Sequence, residues 1–129
     1  MNTQIIKDNI TVDMDAFYNE LLKNCQDTAN HIFSTFNIEN VICIVDLCYN
    51  PRFGENLPEN DVFHFCTKTK FLIDTIFMDH SNNTSFSLGY FPIYNESVSY
   101  KDNIENNNKE YTNQITDILT KQNIITSNK

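Results

Sequence analysis

The chain has 129 residues, 40% hydrophobic and 12% aromatic, with a net charge of −8 and an isoelectric point near 4.6. That length suits one core rather than two, and the apolar content excludes an intrinsically disordered chain. One Arg (Arg52) and eight scattered Lys make no basic stripe, so nucleic-acid binding is not expected; no run nears the ~20 apolar residues of a membrane span, so neither is a membrane role.

Residues 1–11 are polar and read as a flexible N-terminal segment. Asp13 or Asp15 can cap a helix, a carboxylate accepting an orphan N–H of the first turn. Phe17, Leu21, Cys25, Ile32, Phe33 and Phe36 recur at spacings of three and four, which predicts a helix over 14–36 ended by Asn37. Residues 41–49 are nearly continuous apolar and rich in β-branched side chains, the pattern of a strand buried on both faces, with Asp46 as the odd member. Residues 50–60 hold two of the three Pro and one of the two Gly and predict a long loop carrying Phe53, Leu57, Glu55 and Glu59.

Val62 to Thr67 favours a strand at 61–67 by residue type, and the Phe71–Ile73 and Ile76–Phe77 groups then suggest a short helix at 69–79; one continuous helix is the competing reading. Residues 79–83 form a turn. Phe86, Leu88 and Tyr90 alternate with Ser85, Ser87 and Gly89, which is strand periodicity. Val98 and Tyr100 suggest a short strand, and Asp102 to Asn108 is a polar run. Tyr111, Ile115, Ile118 and Leu119 mark a final helix over 108–122, with residues 126–129 frayed. The expected architecture is a single α+β domain over 12–125. A small mixed or antiparallel sheet packs in it against an N-terminal and a C-terminal helix.

The sequence carries few groups arranged for chemistry. Gly54 and Gly89 are isolated, so no phosphate cradle or dinucleotide fingerprint is read, and no cofactor is expected. Cys25, Cys43, Cys48 and Cys66 form no CxxC pair and read as reduced core thiols. His31 reads as a partly buried structural residue. His64 and Cys66 would share a strand face, too few ligands for a structural zinc site and short of positive charge for a nucleophilic pair. No metal site and no catalytic set are therefore assigned. Sequons at Asn9, Asn82, Asn83 and Asn95 are expected by chance in a chain with twenty Asn.

Fifteen Ile and twenty Asn against two Ala, two Gly and one Arg suggest an AT-rich gene, as in mobile elements and some bacteria and viruses. The start Met1-Asn2-Thr3-Gln4 lacks the basic-then-apolar run of a signal peptide, so a cytoplasmic protein is expected. What remains is surface chemistry. Glu55, Glu59 and Asp61 cluster in the long loop, and Asp102, Glu105 and Glu110 near the last helix, with Tyr49, Phe53, Phe91, Tyr94 and Tyr100 in adjoining loops. Aromatic anchors inside a charged rim are how many protein interfaces are built, and net negative charge speeds encounter with a basic partner. The expected function is therefore a binding protein that neutralises a basic protein, most concretely an immunity protein blocking a cationic nuclease toxin. Tyr49, Phe53, Glu55, Glu59, Asp61 and Asp79 are the expected contact residues. A viral or mobile-element factor binding a host protein, or an enzyme using Cys66, His64 or Asp46, are the alternatives.

Overall fold

The computed structural model describes residues 4–7 and 10–126, with side chains described from residue 13 onward. In chain order the elements are β1 (Gln4–Lys7), β2 (Ile10–Asp13), α1 (Met14–Thr35), β3 (Val41–Tyr49), β4 (Phe71–Asp79), β5 (Thr84–Tyr90) and α2 (Tyr100–Lys121), with a 3-10 turn at His64–Lys68. Residues 4–7 of the segment expected to be flexible pair antiparallel with β2; its residues 1–3, 8 and 9, and 127–129 of the expected frayed end, lie outside the described ones.

Helix α1 forms where its periodicity predicts. Asp13 caps it, its Oδ1 accepting from the N–H groups of Asp15 (3.0 Å) and Ala16 (3.3 Å). Phe17, Leu21 and Cys25 lie on one stripe and are completely buried. Asn37, at φ 51°, turns the chain out of the helix, and the Ile38 N–H closes back on the Phe33 carbonyl at 3.0 Å. α2 ends the same way, with Asn123 at φ 60° and Ile124 N–H on the Leu119 carbonyl at 2.9 Å. His31 is exposed and not partly buried as expected, because it falls on the solvent side of the α1 stripe.

Strands β3, β4 and β5 form one antiparallel sheet in that order. β4 is the central strand, which corrects the helix expected over 69–79 and the strand expected at 61–67. Ile73, Thr75, Phe77 and Asp79 alternate inward, and Phe77 stacks against Phe33 of α1 and Phe86 of β5 at 6.3 and 4.7 Å. Both helices cover this one face and run in the same direction. Tyr100 at the start of α2 donates to Glu20 near the start of α1 at 2.9 Å, and Asn108 donates to Thr28 about two turns further along at 3.0 Å.

The other face of the sheet is open, which corrects the expectation that β3 is buried on both sides. The register sets Ile42 beside Met78, Ile44 beside Ile76 and Asp46 beside Asp74, and Ile42, Ile44 and Ile76 are 46%, 47% and 38% exposed. β3 is also an edge strand, and side chains blunt its middle. Gln26 of α1 donates to the Val45 carbonyl at 3.0 Å, and the Asp46 carboxylate accepts from the Leu47 N–H at 2.8 Å.

α2 begins eight residues earlier than expected and replaces the suggested strand at Val98–Tyr100. Ser99 caps it, its hydroxyl accepting from the Asp102 N–H at 3.0 Å. Its first turns bury asparagine in place of hydrocarbon. Asn103 accepts from the Asn95 N–H (2.7 Å) and donates to the carbonyls of Asn95 and Ser99 (both 2.9 Å). Asn107 accepts from the Tyr90 hydroxyl (2.7 Å) and the Ile93 N–H (3.0 Å) and donates to the Ile93 carbonyl (2.8 Å). The two amides supply the hydrogen bonds that the irregular segment 91–99 cannot make within itself.

Candidate functional site

The loop between β3 and β4 closes one end of the sheet, beside the starts of both helices. Asn50, 1% exposed, organises it: the side-chain amide donates to the carbonyls of Cys66 and Thr69, and its oxygen accepts from the Arg52 N–H. Gly54 sits at φ 81°, where a side chain is strained, and its N–H reaches the Thr67 carbonyl at 3.1 Å. The loop is fastened to α1 by a hydroxyl–hydroxyl contact of 3.1 Å between Thr69 and Tyr18.

Five expected contact residues come together in or beside this loop. Tyr49 and Phe53 are 60% and 43% exposed, and Glu55 and Glu59 are exposed. Glu55 lies 3.8 Å from Arg52. Asp61 is half-buried and committed to the local turn, its Oδ1 accepting from the Phe63 N–H at 2.8 Å. Asp79 stands apart, at the far end of β4 and roughly 25 Å away at strand rise. It is buried, and its carboxylate accepts from the Ser81 N–H and the Asn82 amide at 2.9 and 3.1 Å.

The structure adds exposed apolar residues: three from the segment expected as a strand at 61–67, and Ile93. Val62, Phe63, Phe65 and Ile93 are exposed, and Phe65 meets Phe91 edge-on at 5.7 Å. Arg52 lies over the Phe63 ring at 5.4 Å. Phe53 and Ile93 line one shallow concavity of about 290 Å³ with Lys68 and Lys70 on its wall, while Phe65 and Ile93 line another of about 340 Å³ beside Glu110. These large apolar side chains face water at one end of the fold, where single exposed apolar residues would need no explanation but a group does. Of the other loop aromatics, Tyr94 and Tyr100 are half-buried and pack edge-on against Phe17.

The local charge is balanced. Arg52, Lys68 and Lys70 offset Glu55, Glu59 and Asp61 within the loop, so the chain's surplus of carboxylates resides elsewhere, along the helices and on the open sheet face.

The thiols and histidines sit in separate surroundings. Cys25 is completely buried, and burial pushes its thiol from 9.0 to about 12; burial likewise raises Cys43 to about 11. Cys66 is raised mainly by burial, with Arg52 pulling the other way. His64 and Cys66 do not share a strand face, because the segment is a 3-10 turn; His64 Nδ1 instead meets the Leu57 carbonyl at 2.9 Å. Among the described residues no three His, Cys, Asp or Glu side chains gather as a metal site, and no helix is long and apolar enough to cross a membrane. The chain matches no protein-family model, no curated protein and no solved structure.

Proposed function

We propose that this protein acts by docking, neutralising a basic protein partner through the aromatic end of its fold. The observation that carries the reading is the set of exposed apolar residues at one end of the fold: Phe53, Phe63 and Phe65 in a loop organised by the buried Asn50, with Tyr49 at the end of β3 and Ile93 on the neighbouring 91–99 segment. Rigid aromatic anchors lose little entropy on binding and dominate interface energetics, at about 2 kcal/mol or more for each hot-spot ring. The net charge of −8 steers a cationic partner over longer range.

In its most concrete form the protein is an immunity protein, and the partner a cationic nuclease toxin. Glu59 and Glu55 then occupy the place of substrate phosphates while Phe53 and Phe63 pack on the rim of the toxin's site. Because the loop itself is charge-balanced, apolar contact sets the residence time and the rest of the surface sets the encounter rate.

The test is a low-salt pull-down from the source cells with the wild type and with the double variant Phe53→Ser/Phe63→Ser. The expected result is a stoichiometric basic protein that is captured more slowly as salt rises and is lost by the double variant. Absence of a basic partner, or one retained by the double variant, removes the reading.

A further inference from the structure

The open face of the sheet is a second surface, which adjoins the loop end at one corner where Phe91 lies beside Gly89 and Leu72, and its chemistry selects among occupants. Ile42, Ile44 and Ile76 form an apolar field, and the cross-strand pair Asp46–Asp74 lies within it. Paired residues of an antiparallel ladder have Cα atoms about 5 Å apart. Like charges placed so are destabilising, and among the described residues neither carboxylate has a salt-bridge partner. The facing positions of β5 in the register are Ser85, Ser87 and Gly89, so no cation is supplied from the sheet itself.

We propose that this face receives one amphipathic helix of a partner protein, apolar along its contact stripe and carrying an Arg or Lys that sits between Asp46 and Asp74. The dimensions fit one helix. The nine-residue strands β3 and β4 span about 30 Å and carry the apolar residues about 4.8 Å apart, with the small Ser85, Ser87 and Gly89 of β5 beside them, so a helix about 10–12 Å across rests its apolar stripe on two strands and its flank over the third. The charge excludes the competing occupants. A second copy docked face to face brings four carboxylates together in a desolvated interface, and an anionic lipid surface or nucleic acid is repelled by the same pair. A guanidinium between the two carboxylates removes their repulsion and leaves both hydrogen-bonded.

The test uses three synthetic 18-residue peptides against the full chain: an amphipathic Leu/Arg helix, the same pattern with Glu for Arg, and a scrambled Leu/Arg sequence of identical composition. Binding is followed by amide chemical shifts and by titration calorimetry. The expected result is that the amphipathic Leu/Arg peptide alone binds, shifting the amides of β3 and β4 around Ile44, Asp46, Asp74 and Ile76. Affinity is expected to fall tenfold or more in Asp46→Asn/Asp74→Asn and in Ile44→Ser. The Asn double variant relieves the repulsion and melts no lower than the wild type, so its loss of binding is not unfolding. Equal binding of the Glu or scrambled peptide, or affinity indifferent to these substitutions, overturns the proposal. A peptide displaced by Phe53→Ser/Phe63→Ser but not by the sheet variants also overturns it, and assigns the peptide to the loop end instead. Conversely, failure of the loop-end pull-down leaves this result untouched.

Discussion

Three consecutive asparagines, Asn106, Asn107 and Asn108, offer a sharp test of how α2 is held, because only their position on the helix distinguishes them. Asn106 is exposed. Its replacement by Ala removes no hydrogen bond seen in the structure and adds helix propensity, so Asn106→Ala is expected to stabilise the protein by about 0.5 kcal/mol. Asn108 is half-buried and makes one side-chain bond, to the Thr28 hydroxyl; losing about 1 kcal/mol and regaining about 0.5 leaves Asn108→Ala near neutral. Asn107 is 5% exposed and serves the Tyr90 hydroxyl and both backbone groups of Ile93. Ala leaves the Tyr90 hydroxyl buried without its acceptor, at about 1–3 kcal/mol. The Ile93 groups, nearer solvent, lose about 1 kcal/mol more. The net expectation for Asn107→Ala is a loss of about 3 kcal/mol, or roughly 10 °C in melting temperature. The assay is urea unfolding followed by far-UV circular dichroism and by tyrosine fluorescence, which is the intrinsic probe because the chain has no Trp. If Asn107→Ala costs no more than Asn108→Ala, the account of the 91–99 segment as held by buried amides is wrong.

Tyr111→Phe leaves the fully buried Thr75 hydroxyl without its 2.6 Å partner and is expected to cost about 1–2 kcal/mol by urea midpoint, whereas Tyr49→Phe, on an exposed ring, should cost under about 0.5 kcal/mol. Burial raises Cys25 from 9.0 to about 12, Cys43 to about 11 and Tyr100 from 10.0 to about 12, so the folded state keeps these groups protonated while the unfolded chain ionises. Their contribution is complete below about pH 9 and is lost as pH rises from about 9 towards 12; the urea midpoint should hold from pH 7 to 8.5 and then fall, and a flat profile to pH 11 contradicts the burial. Cys25 is expected to resist alkylation at pH 8 until the protein unfolds, whereas half-exposed Cys48 reacts with the folded chain; mass spectrometry of labelled peptides reads the difference.

Much of the architecture is legible in the sequence, and its gaps have physical causes. α1 and β5 were readable because each has one wet face, so the apolar period stands out: Phe17, Leu21 and Cys25 for the helix, Phe86, Leu88 and Tyr90 for the strand. β4 was not, because its outer residues Leu72, Ile76 and Met78 are as apolar as the inward Ile73 and Phe77, which erases the period of two and leaves a pattern that a helix satisfies equally well. The open sheet face thus hid the strand that forms it. The start of α2 was lost for the opposite reason, since Asn103 and Asn107 occupy inward positions that hydropathy counts as solvent. At the loop end, Pro51, Gly54 and Pro58 marked the segment, and Tyr49 and Phe53 were placed there. Phe63 and Phe65 were missed because an aromatic run reads as a strand unless Asp61 is recognised as the cap of a tight turn.

The parallel course of the two helices also sets an order of assembly. Glu20 and Tyr100 are neighbours in space but 80 residues apart in the chain. At about 5–20 residues per second on the ribosome, roughly 4–16 s pass between the appearance of the one and the other. Through that interval the greasy stripe of the first helix still lacks its companion and depends on the intervening strands or on a chaperone. Clustered slow codons ahead of residue 100 would lengthen this interval, and the yield of soluble protein should track it.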